Sequence, residues 1–230
     1  MDNIITLTDY SFLSILQLAS PALPVGAYSY SEGLETLVEN GTITNQKNLQ
    51  KWIEGELLYG AIRIDGAVMA RSHLAATTQN IASLRDWNQW LSATRDTEEL
   101  RGASWQMGRS LLQLLGKLKP ETSSLIQAVG YPCNYAVAFG IAAAHWQIKE
   151  QSALLAYLHS WVSNLITAGI KLIPLGQTTG QELLLMIQPL LITATAEIFT
   201  LEDDQLAGWT WGLSLASMQH EIQYTRLFRS

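Results

Sequence analysis

Apolar side chains along this chain recur every three to four residues almost from end to end, the period of helices packed on a core. Leu13 and Leu16 share one track with Phe12, Ile15 and Ala19 beside it, and Pro21 stops that helix. Pro21, Pro24 and Gly26 then stiffen and turn a loop over 20–30. Ser31 is placed to cap a short helix over 32–39, with Glu32 and Glu35 in its first turn, where carboxylates suit the helix dipole, and Asn40-Gly41 closes it. A longer helix starts at Thr44 or Asn45 and runs through Leu49, Trp52, Ile53, Leu57, Ile64 and Val68 to about residue 76. Leu84, Trp87 and Leu91 mark another short one.

Asp96 and Glu99 stand at capping-box spacing before Leu100, Ala103, Met107, Leu111, Leu114 and Leu118. Gly102, Ala103, Ser104 and Gly108 keep one side of that helix small enough for a neighbour to approach closely, and Pro120 ends it. Pro132 introduces an Ala-rich helix over 134–147, and Ser152 caps a long apolar one that Pro174 stops. Two further helical pieces cover 181–188 and 189–195, and the last begins at Asp203 or Asp204 and reaches Tyr224. Residues 4–8 and 190–195 are the most strand-like, but no hairpin signal accompanies them. The expectation is an all-α fold, a single domain over 1–230 built as a bundle of roughly eight to ten helices.

Hydrophobic residues make up 48% of the chain and charged residues 15%, against roughly 25% charged in an ordinary domain. So little charge leaves apolar patches on the folded surface, which on soluble proteins mark partner sites. The eight tryptophans fit either that role or the filling of a core. A net charge of −6 and the lack of a basic stripe argue against nucleic acid as a partner. The single cysteine, Cys133, rules out an intramolecular disulfide and fits a reducing, cytoplasmic setting. The acidic N-terminus does not read as a secretory signal. The apolar run 153–174 contains His159, Ser160, Ser163, Asn164, Thr167 and Lys171 and lacks a basic flank, which reads as a buried helix rather than a membrane span.

Catalytic patterns are sparse. His73, His145, His159 and His220 lie far apart, so no self-contained metal site is expected. There is no nucleophile elbow, and Gly176-Gln177-Thr178-Thr179-Gly180 lacks the Lys-Ser/Thr of a phosphate loop, so no nucleotide cofactor is expected. Cys133, near the start of the Ala-rich helix, is either an activated thiol or a small buried apolar residue. Glu32 and Glu35, three apart, share a face of the expected helix. They read as a solvated first turn, as a negative patch for a basic partner, or, with His220, as the acid–base set of an all-α hydrolase or lyase. Three segments look like fixed surface shapes instead. They are the loop with Pro24, Val25, Gly26 and Tyr28, the corner Pro174, Gly176 and Gln177, and the ending Arg226, Leu227, Phe228, Arg229 and Ser230, which sets two arginines around two large apolar side chains. Such an end, at about 225–230, suits docking better than solvation.

These segments in order resemble the urease accessory protein family UreF: the stretch Leu16 to Glu35, then Asp65, Arg101, Gln106-Met107-Gly108, Ala136 to Gly140, Leu172 to Gln177, His220-Glu221 and Arg226 to Ser230. The resemblance implies an all-α, non-enzymatic scaffold that forms homodimers, binds the accessory protein called UreD or UreH, recruits the GTPase UreG, and so helps deliver nickel to apo-urease. It further implies that the tail orders on UreD/UreH. Leu227 and Phe228 would be its apolar anchors, Arg226 and Arg229 would pair with carboxylates or carbonyls, and Arg226 would brace the Tyr28 loop. Glu32, Glu35 and Lys171 are then expected to face the GTPase. For self-association the apolar helix 153–173 or the segment 181–192 is expected to supply the surface.

Overall fold

The computed structural model describes residues 9–207 and 211–229. Among them the chain is all-helical, with eleven α-helices and no strand, slightly more helices than the sequence predicts. In order these are α1 Asp9–Leu18, α2 Leu34–Glu39, α3 Gln46–Tyr59, α4 Ala61–Thr77, α5 Ile81–Ala93, α6 Glu98–Leu118, α7 Ser123–Val129, α8 Tyr135–His145, α9 Glu150–Leu172, α10 Gln177–Phe199 and α11 Trp211–Glu221.

Helix α8 is the centre of the bundle. Its residues from Ala136 to Ala143 are all buried, as expected of a helix that is apolar on every side. Two neighbours reach it through glycine. A methyl on Gly140 would lie 2.5 Å from the Met69 carbonyl oxygen of α4, and one on Gly108 would lie 2.1 Å from the Cys133 carbonyl oxygen just before α8. The small side of α6 therefore packs where the sequence places it, although Gly102 at its edge stays open. A buried polar knot locks the same junction. Asn134 donates to the Asn88 carbonyl at 2.9 Å and to Ser92 Oγ at 2.7 Å, while Ser104 Oγ donates to Asn134 Oδ1 at 3.1 Å.

Several boundaries differ from the sequence reading. The expected 44–76 helix breaks at Gly60, whose extended backbone separates α3 from α4. The cap of α6 is Thr97, whose hydroxyl accepts the Leu100 N–H at 3.2 Å, while Asp96 turns to the Ser214 hydroxyl. The two pieces expected over 181–195 are one helix with Pro189 inside it, and the strand-like 190–195 belongs to it. The other strand-like stretch, 4–8, lies outside the described residues. The last stretch is a single 3-10 turn, Asp203–Gln205, followed by α11.

Both α9 and α10 are long and apolar enough to cross a membrane by length and composition. Leu158, Val162 and Leu165 put α9 in the core, whereas α10 buries one side and turns Leu185, Met186, Ile192 and Phe199 outward. Most tryptophans sit half-buried at the core margin, among them Trp52, Trp87, Trp90, Trp146 and Trp161. Trp211 is exposed.

Candidate partner-docking surface

The loop over 20–30 divides its side chains between two environments. Leu23, Val25 and Tyr30 are buried, while Pro24 and Tyr28 face solvent. Gly26 has φ +81° with nothing within 4 Å of a would-be methyl, so the position needs glycine for backbone shape and not for space. Glu32 and Gly33 follow with φ of 52° and 76°, two successive left-handed residues that delay the helix to Leu34. This turn sends the two acids apart. The Glu32 carboxylate accepts the Trp161 indole N–H of α9 at 2.9 Å, and Glu35 points to the other end of the chain. Their expected common face does not exist: Glu32 leaves the three-residue acid–base set, while Glu35 Oε2 stays 3.2 Å from His220 Nε2.

Beneath the loop lies a cavity of about 120 Å³ lined by Tyr30, Glu32, Asp65, Arg95, Tyr157 and Trp161 among others. Arg95 donates to both oxygens of Asp65 at 2.7 Å. Burial raises the carboxyls of both Glu32 and Asp65 above their ordinary range, against the opposing pull of the Trp161 N–H on the first and of Arg95 on the second.

Helix α11 docks beside this loop. A methyl on Gly33 would lie 2.9 Å from Cβ of Ala216, so α2 and α11 meet almost backbone to side chain. Thr36 donates to Gln223 Oε1 at 3.0 Å, Thr97 and Ser217 share a 2.7 Å hydroxyl contact, and the Glu99 N–H donates to Glu221 Oε1 at 3.3 Å. Arg226 folds back on the helix end. It donates to the carbonyls of Gln223 and Glu221 at 2.9 and 2.6 Å, and to Glu99 at 2.7 Å. Lys and Arg side chains commonly satisfy the open carbonyls of a helix C-terminus in this way.

The tail then turns inward. Phe228 is only 6% exposed, with Lys171 Nζ 5.5 Å from its ring centre, whereas Leu227 is 65% exposed. The N–H groups of Leu227 and Phe228 donate to the two oxygens of Glu35 at 2.6 and 2.9 Å. The Arg229 N–H donates to the Ser29 carbonyl at 2.9 Å, which ties tail to loop. Ser230 lies outside the described residues.

Several sequence expectations change here. Phe228 is an anchor within this chain and not an outward one. Arg226 does not brace Tyr28: Glu99 and two carbonyls take its guanidinium, and the Arg229 backbone makes the link to the loop. Glu35 is buried, so it forms no charged rim. Lys171 is exposed but stands over Phe228. The corner after α9 has Pro174 exposed, Gly176 in an ordinary extended conformation and Gln177 opening α10, so it acts as a connector. Glu99 and Ser29 escape the sequence reading, because their partners lie at the far end of the chain. Elsewhere, His73 and His145 rest on backbone carbonyls, at 2.8 and 3.1 Å. Cys133 is the buried apolar residue and not the activated thiol, burial pushing it up to about 12.

The sequence matches known proteins closely. The family model UreF matches residues 43–188. The protein named "Urease accessory protein UreF" from Nostoc sp. (strain PCC 7120) is 71% identical over 98% of each chain. The chain belongs to the UreF family. The UreF of Trichormus variabilis is 70% identical over all 230 residues, so it spans the loop and tail that the family match leaves out. The UreF of Alkalilimnicola ehrlichii is 42% identical over 93% of each chain. UreF proteins are urease accessory proteins and not enzymes.

Proposed function

We propose that this chain is a scaffold of urease maturation that bridges the accessory protein UreD/UreH and the GTPase UreG, and so serves nickel insertion into apo-urease in the cytoplasm. Family membership supports the role in urease maturation. The observation that carries the docking assignment is the outward face of the C-terminal region. Trp211, Leu215 and Met218 line one side of α11, Ile222, Tyr224 and Leu227 are exposed after it, and Tyr28 stands exposed on the adjoining loop. A solvent-facing apolar run of this kind is the signature of a protein contact.

Within the tail the roles divide. Leu227 and Arg229 face outward for UreD/UreH, Phe228 and Arg226 hold the segment to the body, and Ser230 completes the expected motif. Pro24 and Tyr28 offer the exposed side of the loop, and Val25, Gly26 and Glu32 maintain its shape. Lys171 remains a candidate contact for UreG. The chain works as one folding unit and as a homodimer, with neither nucleic acid nor membrane as a partner.

Removing residues 226–230 is expected to abolish co-purification with UreD/UreH. Because that deletion also uncovers the Phe228 pocket, Leu227→Asp provides the cleaner arm. It is expected to weaken capture at least tenfold with an unchanged circular dichroism spectrum. Full capture by Leu227→Asp would remove the tail from the interface.

A further inference from the structure

We propose that the groove along the outer side of α6 seats an acidic, extended segment of the partner that docks on the loop over 20–30. The inference rests on the docking reading above and deepens it by naming a second contact and the chemistry it takes. Three observations carry it.

The first is a local reversal of charge. The chain as a whole carries −6, yet residues 100–118 hold Arg101, Arg109 and Lys117 and no acid. Arg101, Trp105, Arg109, Gln113 and Lys117 recur every four residues, so they follow one another along one side of α6. All five are exposed or half-buried. None of the three cations enters an ion pair among the described residues, whereas Arg63, Arg71, Arg95 and Arg226 all do. A row of unanswered cations on an acidic protein is complementary to carboxylates from outside.

The second is the groove that these side chains border. It is open, measures about 600 Å³ and lies between α6 and the 131–132 segment, with Trp105, Arg109 and Tyr131 in its walls and no carboxylate among its described lining residues. The Trp105 indole N–H donates to Ser92 Oγ at 3.1 Å, which holds the ring in place, and the Arg101 guanidinium stands 5.7 Å from the ring centre. Tyr131 is exposed. Trp, Tyr and Arg together are the residue types that carry most of the energy of protein contacts. Gln106 lines both this groove and the hollow beside Pro24 and Tyr28, so the groove continues the loop surface assigned above to docking.

The third is Gly102, which also lines the groove. It sits inside α6, where glycine costs stability relative to alanine, and nothing in the chain lies within 4 Å of a would-be methyl. No neighbour in this chain needs the space. A bare helix surface there lets an extended backbone lie close against α6, with its carboxylates reaching Arg101 and Arg109 to either side.

The test is capture of UreD/UreH by the full-length chain at two salt concentrations. Arg109→Glu is expected to weaken capture about tenfold in 0.1 M NaCl, and the gap to wild type is expected to close to about twofold in 1 M NaCl, where the charge contact is screened. Gly102→Leu fills the floor of the groove without touching the rest of the chain, so it is expected to weaken capture at least tenfold at both salt concentrations while its urea midpoint stays at or above that of wild type. Lys47→Glu makes the same charge change at an exposed position of α3 and is expected to leave capture unchanged. Wild-type capture by either groove variant overturns the proposal. Equal losses in Arg109→Glu and Lys47→Glu overturn it too, because they report net charge and not the groove. If the groove variants instead turn a dimer into a monomer in sedimentation, the occupant is a second copy of this chain and the proposal falls. Leu227→Asp separates the two readings. Loss in the groove variants with full capture by Leu227→Asp upholds the groove and removes the tail contact, and the reverse pattern overturns the groove alone.

Discussion

Glu56 lies in the last turn of α3 with its carboxylate folded against Gly60, where a methyl would collide with Oε2, and accepts the Ala61 N–H that opens α4. Its other capacity is spent poorly, because buried Oε2 has no hydrogen-bond partner. Burial first, and the nearby Glu32 charge second, push this carboxyl up to about 7 from 4.5. The folded chain therefore holds a proton that the unfolded chain has released anywhere between those two values. The group's contribution to stability is whole below pH 4.5 and is lost as pH rises through about 7. The loss amounts to about 3 kcal/mol at most. Glu32 and Asp65 shift in the same direction, so the test is a difference. Urea midpoints of wild type and Glu56→Gln, measured from pH 5 to pH 8, are expected to diverge, with the variant flatter and more stable at the upper end. Parallel curves would show that Glu56 does not titrate in this range. None of this was visible in the sequence, where Glu56 is one acid on an amphipathic helix and its depth depends on α4 turning back over it.

At the scale of the elements, much of the bundle was legible and the exceptions have local causes. The α3–α4 break escaped because Gly60 is followed by a good helix former and no proline marks the turn. Conversely, Pro189 suggested a boundary that α10 does not have. The residue sits on the exposed side, where water can satisfy the carbonyl its missing N–H leaves free. The small side of α6 was read correctly at Gly108 and not at Gly102, which stays open, so glycines separate into two kinds of position that composition cannot distinguish. Gly140→Ala is expected to cost about 3 kcal/mol, since the new methyl would lie within 3 Å of the Met69 carbonyl and the His73 amide of α4. Gly102→Ala, on an open helix surface, is expected to stabilise by about 0.5–1 kcal/mol. Chemical denaturation of the two variants checks both, and equal effects would refute the close approach of α4 and α8. The candidate site was half legible. The loop and tail stood out by composition and His220 by its neighbour Glu221, but the left-handed pair Glu32-Gly33 was read as helix. That error placed two acids together that the fold separates.

For the whole molecule, the outward side of α10 is the feature with the largest consequence. Leu185, Pro189, Ile192, Ala196 and Phe199 are exposed at alternating spacings of four and three, a coiled-coil seam that no described residue covers. Of the two helices expected to self-associate, α9 is committed to the core and α10 is not, so α10 is the face assigned to the proposed homodimer. Leu185→Glu with Ile192→Glu is expected to convert the dimer to a monomer in sedimentation equilibrium while leaving helicity intact. A dimer that survives both charges would move the interface elsewhere. The tail carries a consequence of another kind. Glu35 and Leu227 are separated by 192 positions. At ribosomal speeds of about 5–20 residues per second, the acid waits roughly 10–40 s for its counterpart to be synthesised. A product that stops short of Leu227 would lack that counterpart altogether and would leave the buried Glu35 carboxylate without the two amides that donate to it.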